Sequence, residues 1–430
     1  MKKYISIIIL TISLLPIYLR AQDSIFARNI IKNLSSPEMY GRGYSYGGDS
    51  IAANFIRNKC KEIELLPLSN DYYQRLQFKS YKMEGDCSIS IDSIVLKPGE
   101  DFYIKNFSSS VNSKNIPIIY TTVKNASNTK KLSKFLKKNE KAIAQSVVCI
   151  ETTNELSDEE KAFLQNLNKR NPFGSVGIII GGEQLPMASV STRPSKCNYA
   201  IIHIKDNYLA SKPQHISISF DNQAIRHNSQ NVCAYIKGSE VADSFIVFSA
   251  HYDHLGTIGN KAYYPGAHDN ASGVAALLDI ATYFSKNQPK YSVVFLFFCG
   301  EEVGLIGSKY FVNHPLITLN KIKTLINMDM FCGGDEGIMI VNAKADETQP
   351  ICKALCNIND THKYISQIKT RPNAANSDHY FFSTHCPAIF IYTMGGKYGG
   401  YHDIHDTCES CDLENYENII KLVIEGIKSL

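Results

Sequence analysis

Two adjacent carboxylates, Glu301 and Glu302, stand just beyond the apolar run "YSVVFLFF", Tyr291 to Phe298. That run is β-branched and aromatic around a single serine, so it reads as a strand buried on both faces. Two like charges at its rim repel each other and lose hydration, which calls for a nearby positive charge. The same placement recurs along the chain. His251 and Asp253 in "HYDHLG" follow "SFIVFSA", and Asp269 in "AHDNASG" stands just ahead of an apolar helix. Asp329 follows "IKTLINM", and His402 in "YHDIHDT" follows "PAIFIYT" and the glycine-rich "MGGKYGG". Imidazole nitrogen and carboxylate oxygen are zinc donors, and a catalytic zinc keeps a position open for water. Two zinc ions sharing one bridging carboxylate need two more ligands each. His251, Asp269, one glutamate of the pair, Asp329 and His402 supply that number. In extended chain, neighbouring side chains point in opposite directions, so one glutamate can bind metal while the other faces the water. Asp253, two residues after His251, is placed to accept the other N–H of that imidazole.

The elements that must position these residues alternate from Asn231 onward. Strands "SFIVFSA", "YSVVFLFF", "IKTLINM" and "PAIFIYT" are interleaved with helices from Gly273, near Thr348 to Ile358, and from Leu413. Alternation of this kind predicts a mixed, mostly parallel central sheet with helices on both faces. In such open sheets, sites lie at the carboxyl ends of strands, which is where the polar residues fall. The preceding chain divides in two. Residues 22–86 read as a helical part of the same domain, with "SIAANFIRNKCKEI" at helical period. Residues 87–223 read as a smaller strand-rich insert, and 224–430 as the remainder of the main domain. The lysines between Lys124 and Lys141 have few aromatics among them, so they read as a solvated helix face rather than a polyanion site.

Composition is that of a globular protein, with 44% hydrophobic and 20% charged residues among 430. Residues 1–21 read as a signal peptide. Lys2 and Lys3 precede an apolar run broken by Pro16, and "LRAQ" offers cleavage after Ala21. Its loss lowers the formal charge from +4 to about +1, so no nucleic-acid partner and no stable membrane anchor after cleavage are expected. The expected location is periplasmic or extracellular. Export makes disulfides possible among the twelve cysteines. Cys149, Cys233 and Cys299 lie in apolar runs and read as buried thiols, and "CESC", Cys408 to Cys411, as either a local disulfide or packing.

Taken together, "SAHYDHLG", "PGAHDNASG", "CGEEVGLIGS", "NMDM" and "YHDIHDT", in this order, resemble zinc peptidase family M28. The family includes secreted bacterial leucyl-type aminopeptidases, glutamate carboxypeptidases and glutaminyl cyclases. "LSSPEMYGRGYSYGGDSIAANFI" is similar to its helical entry segment, and the strand-rich region is similar to the protease-associated insert of some members. The resemblance implies that His251, Asp269 and Asp329 bind one zinc and that Asp269, Glu302 and His402 bind the other, with Asp269 bridging. It implies Glu301 as general base and Asp253 as the residue that orients His251. The family's histidine spacing to Asp406-Thr407 selects His402 over His405. His254 and His268 read as neighbours of the ligands. The hydrolytic, aminopeptidase branch is the one most resembled, which implies peptide substrates with a free N-terminus. A glutaminyl cyclase or carboxypeptidase on the same scaffold and an inactive peptide-binding module are the alternatives. With no tryptophan in the chain, a substrate pocket must use tyrosine or phenylalanine, Tyr398 and Tyr401 being at hand.

Overall fold

Along "YSVVFLFF" alternate side chains enter two separate cores. Val293, Phe295 and Phe297 face one, whereas Val294, Leu296 and Phe298 face the other. A strand covered on both faces in this way must lie inside a sheet with helices on each side. The computed structural model describes residues 24–190, 197–396 and 400–430; the leader segment and Tyr398 lie outside the described residues.

The main sheet is mixed. Its centre is four adjacent parallel strands, in the order Tyr291–Phe298, Val241–His251, Ile322–Met328 and Ala388–Thr393. Antiparallel strands flank it: Gln223–Ile236 on one side and Ile338–Val341 on the other. From Val241–His251 the chain moves first to the neighbour on one side and later to the neighbour on the other. The connections therefore diverge there, and a crevice opens at the carboxyl ends. The helix Ser272–Lys286 crosses beneath these strands and is buried through most of its length, as expected of a helix hydrophobic nearly all round. Its start must touch the end of a strand. A Cβ on Gly273 would sit 2.3 Å from Asn270 Oδ1 and 2.4 Å from the Met328 carbonyl oxygen, so only glycine lets Asp269 approach Asp329.

The segment 22–86 is less helical than its periodicity predicts. Helices Ser24–Leu34 and Gly48–Glu62 are present, but Tyr73–Lys82 is a ten-residue strand paired antiparallel with Gln223–Ile236. Its sequence, "YQRLQFKSYK", alternates buried and exposed positions, a period-two signal that the neighbouring helical pattern masked.

A second sheet of eight strands draws all of them from residues 88–220. Parallel strands Val111–Thr122, Val147–Glu151, Gly177–Gly182 and Ala200–Lys205 form its middle. The helices Thr129–Asn139 and Asp158–Leu167 cover one face; the lysine-rich first of these has no buried residue. The opposite face packs on Leu255, Ile258 and Tyr264 of the main domain, beside the crevice.

Candidate metal centre

The carboxyl ends of the four central strands bring five predicted ligands into one cluster. His251 is the last residue of its strand, Asp329 follows Met328 directly, and Glu302 lies in the turn after Phe298. Asp269 precedes the buried helix, and His402 comes from the loop after Thr393. The two oxygens of Asp269 face different partners. Oδ1 lies 3.4 Å from His251 Nε2, which is also 3.4 Å from Asp329 Oδ1. Oδ2 lies 3.1 Å from His402 Nε2, which is 3.3 Å from Glu302 Oε2.

These separations fit zinc. Ligands about 2.0–2.1 Å from a tetrahedral ion stand about 3.3 Å apart, whereas most of the contacts here exceed the usual range of about 2.7–3.2 Å for a hydrogen bond. Asp329 Oδ1 is a buried acceptor with no hydrogen-bond partner, as an oxygen reserved for a cation would be. Among the described residues, the cluster also gathers buried carboxylates, Asp253, Asp269, Asp329 and Asp406 included, around one buried guanidinium, that of Arg42. That charge balance suits dications.

The glutamates divide in character. Burial pushes Glu301 well above the usual carboxylate range, with His251 opposing and Glu302 adding to the rise. Burial acts on Glu302 too, but hydrogen bonds from His254 and His402 outweigh it and hold this carboxyl below the usual range. The two neighbouring carboxyls are thus driven apart, Glu302 staying charged and Glu301 gaining proton affinity, a split that suits different roles. For His402, burial pulls the pKa down while Asp269 and Glu302 lift it to about 11.

Two local expectations are corrected. The glutamates do not diverge as neighbours on extended chain; they sit in a turn. The Asp253 carboxylate shapes that turn, accepting the Glu301 amide at 3.0 Å and the Glu302 amide at 3.4 Å. Asp253 also does not accept the His251 N–H through its carboxylate, which is 3.8 Å away. Instead His251 Nδ1–H donates to the Asp253 main-chain oxygen at 3.2 Å. The tautomer is fixed all the same, leaving Nε2 toward Asp269 and Asp329.

Several residues support these ligands; the sequence marks His254, Asp406 and the "SDHYFF" segment, but not Arg42 or Tyr44 directly. Arg42, fully buried, donates through all three nitrogens to the carbonyl oxygens of Leu34, Tyr252, Pro265, Gly266 and Asp269, at 2.6–3.2 Å. Burial lowers its pKa to about 10, with Asp406 and Asp269 opposing, so it stays charged. Gly266, at φ +59°, makes room for it: a Cβ there would lie 2.5 Å from Arg42 Nη2. Tyr44 donates to Asp253 Oδ2 at 2.9 Å. Asp406 accepts the amides of His268 and Asp269 at 2.8 and 3.1 Å. Ser377, from "SDHYFF", donates to Asp329 Oδ2 at 2.9 Å. His254 Nδ1–H donates to Glu302 Oε1 at 2.7 Å, which leaves Oε2 to face His402. The "GRGYSYGG" stretch was the available hint for Arg42 and Tyr44, because clustered glycines mark close backbone approach.

His405 is exposed and 3.9 Å from Asp403, far from these contacts. Tyr401, partly exposed, stacks on the His402 ring with centroids 4.0 Å apart. "CESC" forms no local pair: Cys411 bonds to Cys332, and Cys408 is a buried free thiol. The loop after Asp329 and the segment after His402 run side by side, which brings Cys332 to Cys411. Cys149, Cys233 and Cys299 are buried and free.

Residues 231–427 match the family model of Peptidase family M28. This region belongs to that family. Over 139 residues the chain is 30% identical to a vacuolar membrane protease of Candida glabrata, covering 32% of this chain and 14% of that one. Over 105 residues it is 37% identical to a probable zinc metalloprotease of Pyrenophora teres, covering 24% and 23%. The chain thus spans less than a quarter of the length of these relatives. The zinc aminopeptidase of Bacillus subtilis has a similar fold, with a TM-score of 0.68 over 94% of both chains at 17% identity. The family match is carried by residues 231–427, and the α/β architecture of the chain is a fold shared with the Bacillus subtilis enzyme.

Proposed function

We propose that this chain is an exported zinc aminopeptidase that removes single residues from the free N-termini of peptides. One observation carries the metal part of this reading: the two oxygens of Asp269 face separate donor sets, His251 with Asp329 and His402 with Glu302. Two zinc ions held there would acidify a water and polarise the scissile carbonyl. Glu301 acts as general base. Its carboxylate takes a proton from the attacking water and gives it to the amine nitrogen as the C–N bond breaks, regaining its charge. Asp253 is a positioning residue, through the turn that aims Glu301 and through the carbonyl that holds His251.

The preference for a free N-terminus follows from charge. Glu301 and the buried Asp253 and Asp406 add negative charge around the cluster beyond the five proposed ligands, a field that favours an ammonium group over a second carboxylate. The leader segment supports a periplasmic or extracellular location. No described helix is long and apolar enough to cross a membrane. A near-neutral surface supports peptide rather than nucleic-acid substrates.

The test is product analysis by mass spectrometry with zinc supplied. Leu-Gly-Gly should be shortened from its amino end, its N-acetylated form should resist, and an N-terminal glutamine peptide should yield free glutamine. Ammonia loss from the glutamine peptide without cleavage would make the protein a cyclase. Release of the C-terminal residue from the acetylated peptide would make it a carboxypeptidase.

A further inference from the structure

A metal-binding histidine needs its second nitrogen held, and the partner is usually a neighbouring carbonyl or carboxylate. His251 finds its partner two residues away, in its own domain. His402 does not. Its Nδ1–H donates at 2.9 Å to the main-chain oxygen of Ala188, and the Ala188 N–H returns a bond to the His402 carbonyl at 3.2 Å. Ala188 lies in the loop after the strand Gly177–Gly182 of the inserted sheet. The next residue is clamped as well: the Tyr103 hydroxyl donates to the Ser189 oxygen and accepts from the Ser189 N–H, both at 3.0 Å. Tyr103 is buried in the inserted sheet's strand Phe102–Ile104.

The loop carrying His402 is held at a second point. Ile404 packs on the insert's core, so tightly that a Cβ on Gly99 would lie 2.7 Å from its Cγ2. His402 itself has φ +55°, a left-handed conformation unfavourable for a residue with a side chain. A backbone in that state persists only where its surroundings impose it. Here both constraints, the Ala188 main chain on His402 and the core around Gly99 on Ile404, come from the inserted domain.

We infer that the inserted domain completes the metal centre. Its Gly182–Val190 loop fixes the tautomer and place of His402, and Tyr103 is the positioning residue that holds that loop in register. The inference rests on the zinc reading above, but it concerns only the half of the centre that contains His402 and Glu302.

Tyr103→Phe in the full chain tests it, because the ring stays and only the hydroxyl is lost. Zinc content is followed by elemental analysis during titration with a chelator, alongside thermal unfolding of the metal-free protein. Wild type should hold two zinc ions. The variant should release one of them at roughly ten- to hundredfold lower chelator concentration, the usual effect of losing such a support, and keep the other unchanged. Its metal-free unfolding should stay close to wild type. Ile404→Ala should repeat the selective loss from the other side of the loop. In a His402→Ala background, Tyr103→Phe should add nothing. Wild-type retention of both ions in Tyr103→Phe would overturn the inference, as would equal weakening of both. A wild-type chain that binds fewer than two ions would instead overturn the zinc reading on which it rests.

Discussion

The two sheets share a plan but treat their strand ends differently. Each has four parallel strands at its middle, apolar on both faces. In the inserted sheet the ends carry partly solvated groups: Glu151 pairs with Lys212, both side chains more than a third exposed, and half-buried Asp206 follows Lys205 at the start of a short 3-10 helix. In the main sheet the ends carry His251, Asp329 and the Glu301–Glu302 turn, with His251 and Asp329 buried and their charges opposed only by neighbours in the cluster. A parallel sheet therefore does not make a site by itself. What separates the two is buried charge in excess of what neighbouring protein groups satisfy, Asp329 Oδ1 having no hydrogen-bond partner.

The comparison can be broken most severely at the glutamates. Glu301→Gln keeps size and loses the base, so peptide hydrolysis should fall at least about a hundredfold, roughly 2.7 kcal/mol of barrier, with both zinc ions retained. Glu302→Gln should weaken zinc binding instead. Near-normal turnover in Glu301→Gln would end its assignment as base. A smaller effect is expected at the histidines of the last loop. His402→Ala should lower bound zinc on elemental analysis and His405→Ala should not, since only His402 lies against Asp269 and Glu302; the reverse result would move the ligand. The smallest effect belongs to the other sheet. Glu151→Gln should change stability by less than about 1 kcal/mol, as for exposed ion pairs generally, and leave hydrolysis untouched. A large loss of activity there would erase the distinction between the two sets of strand ends.

Much of the main domain was legible because buried parallel strands are written as continuous apolar runs, and the residue just past each run is conspicuous when charged. His251, Asp329 and the Glu301–Glu302 pair stood out in this way, with Asp253 beside them and Asp269 ahead of its helix, whereas the choice of Glu302 over Glu301 as ligand and of His402 over His405 came from the resemblance to the family. The Tyr73–Lys82 strand was not, because a short alternating stretch next to a strong helix is outweighed by it. The supports were less legible still. Arg42 acts through carbonyl oxygens of one helix end, of Tyr252 and of the segment at residues 265–269, contacts that exist only after the chain has folded. Ala188 acts through its main chain, so its side chain carries no mark of what it does. Cys411 had its true partner 79 residues away in Cys332, while the visible spacing pointed to Cys408. Spacing reports local geometry well and long-range pairing poorly.

Asp269, whose two oxygens face separate donor sets, would serve both zinc ions of the proposed centre. Zinc per chain, counted by elemental analysis after equilibration with limiting free zinc and gel filtration, tests this most directly in the wild type and in Asp269→Ala. About two ions are expected in the wild type and less than one in the variant, because both donor sets lose a ligand and the buried charge that would hold the metal. A variant that still carries two ions, with far-UV circular dichroism unchanged, would contradict it.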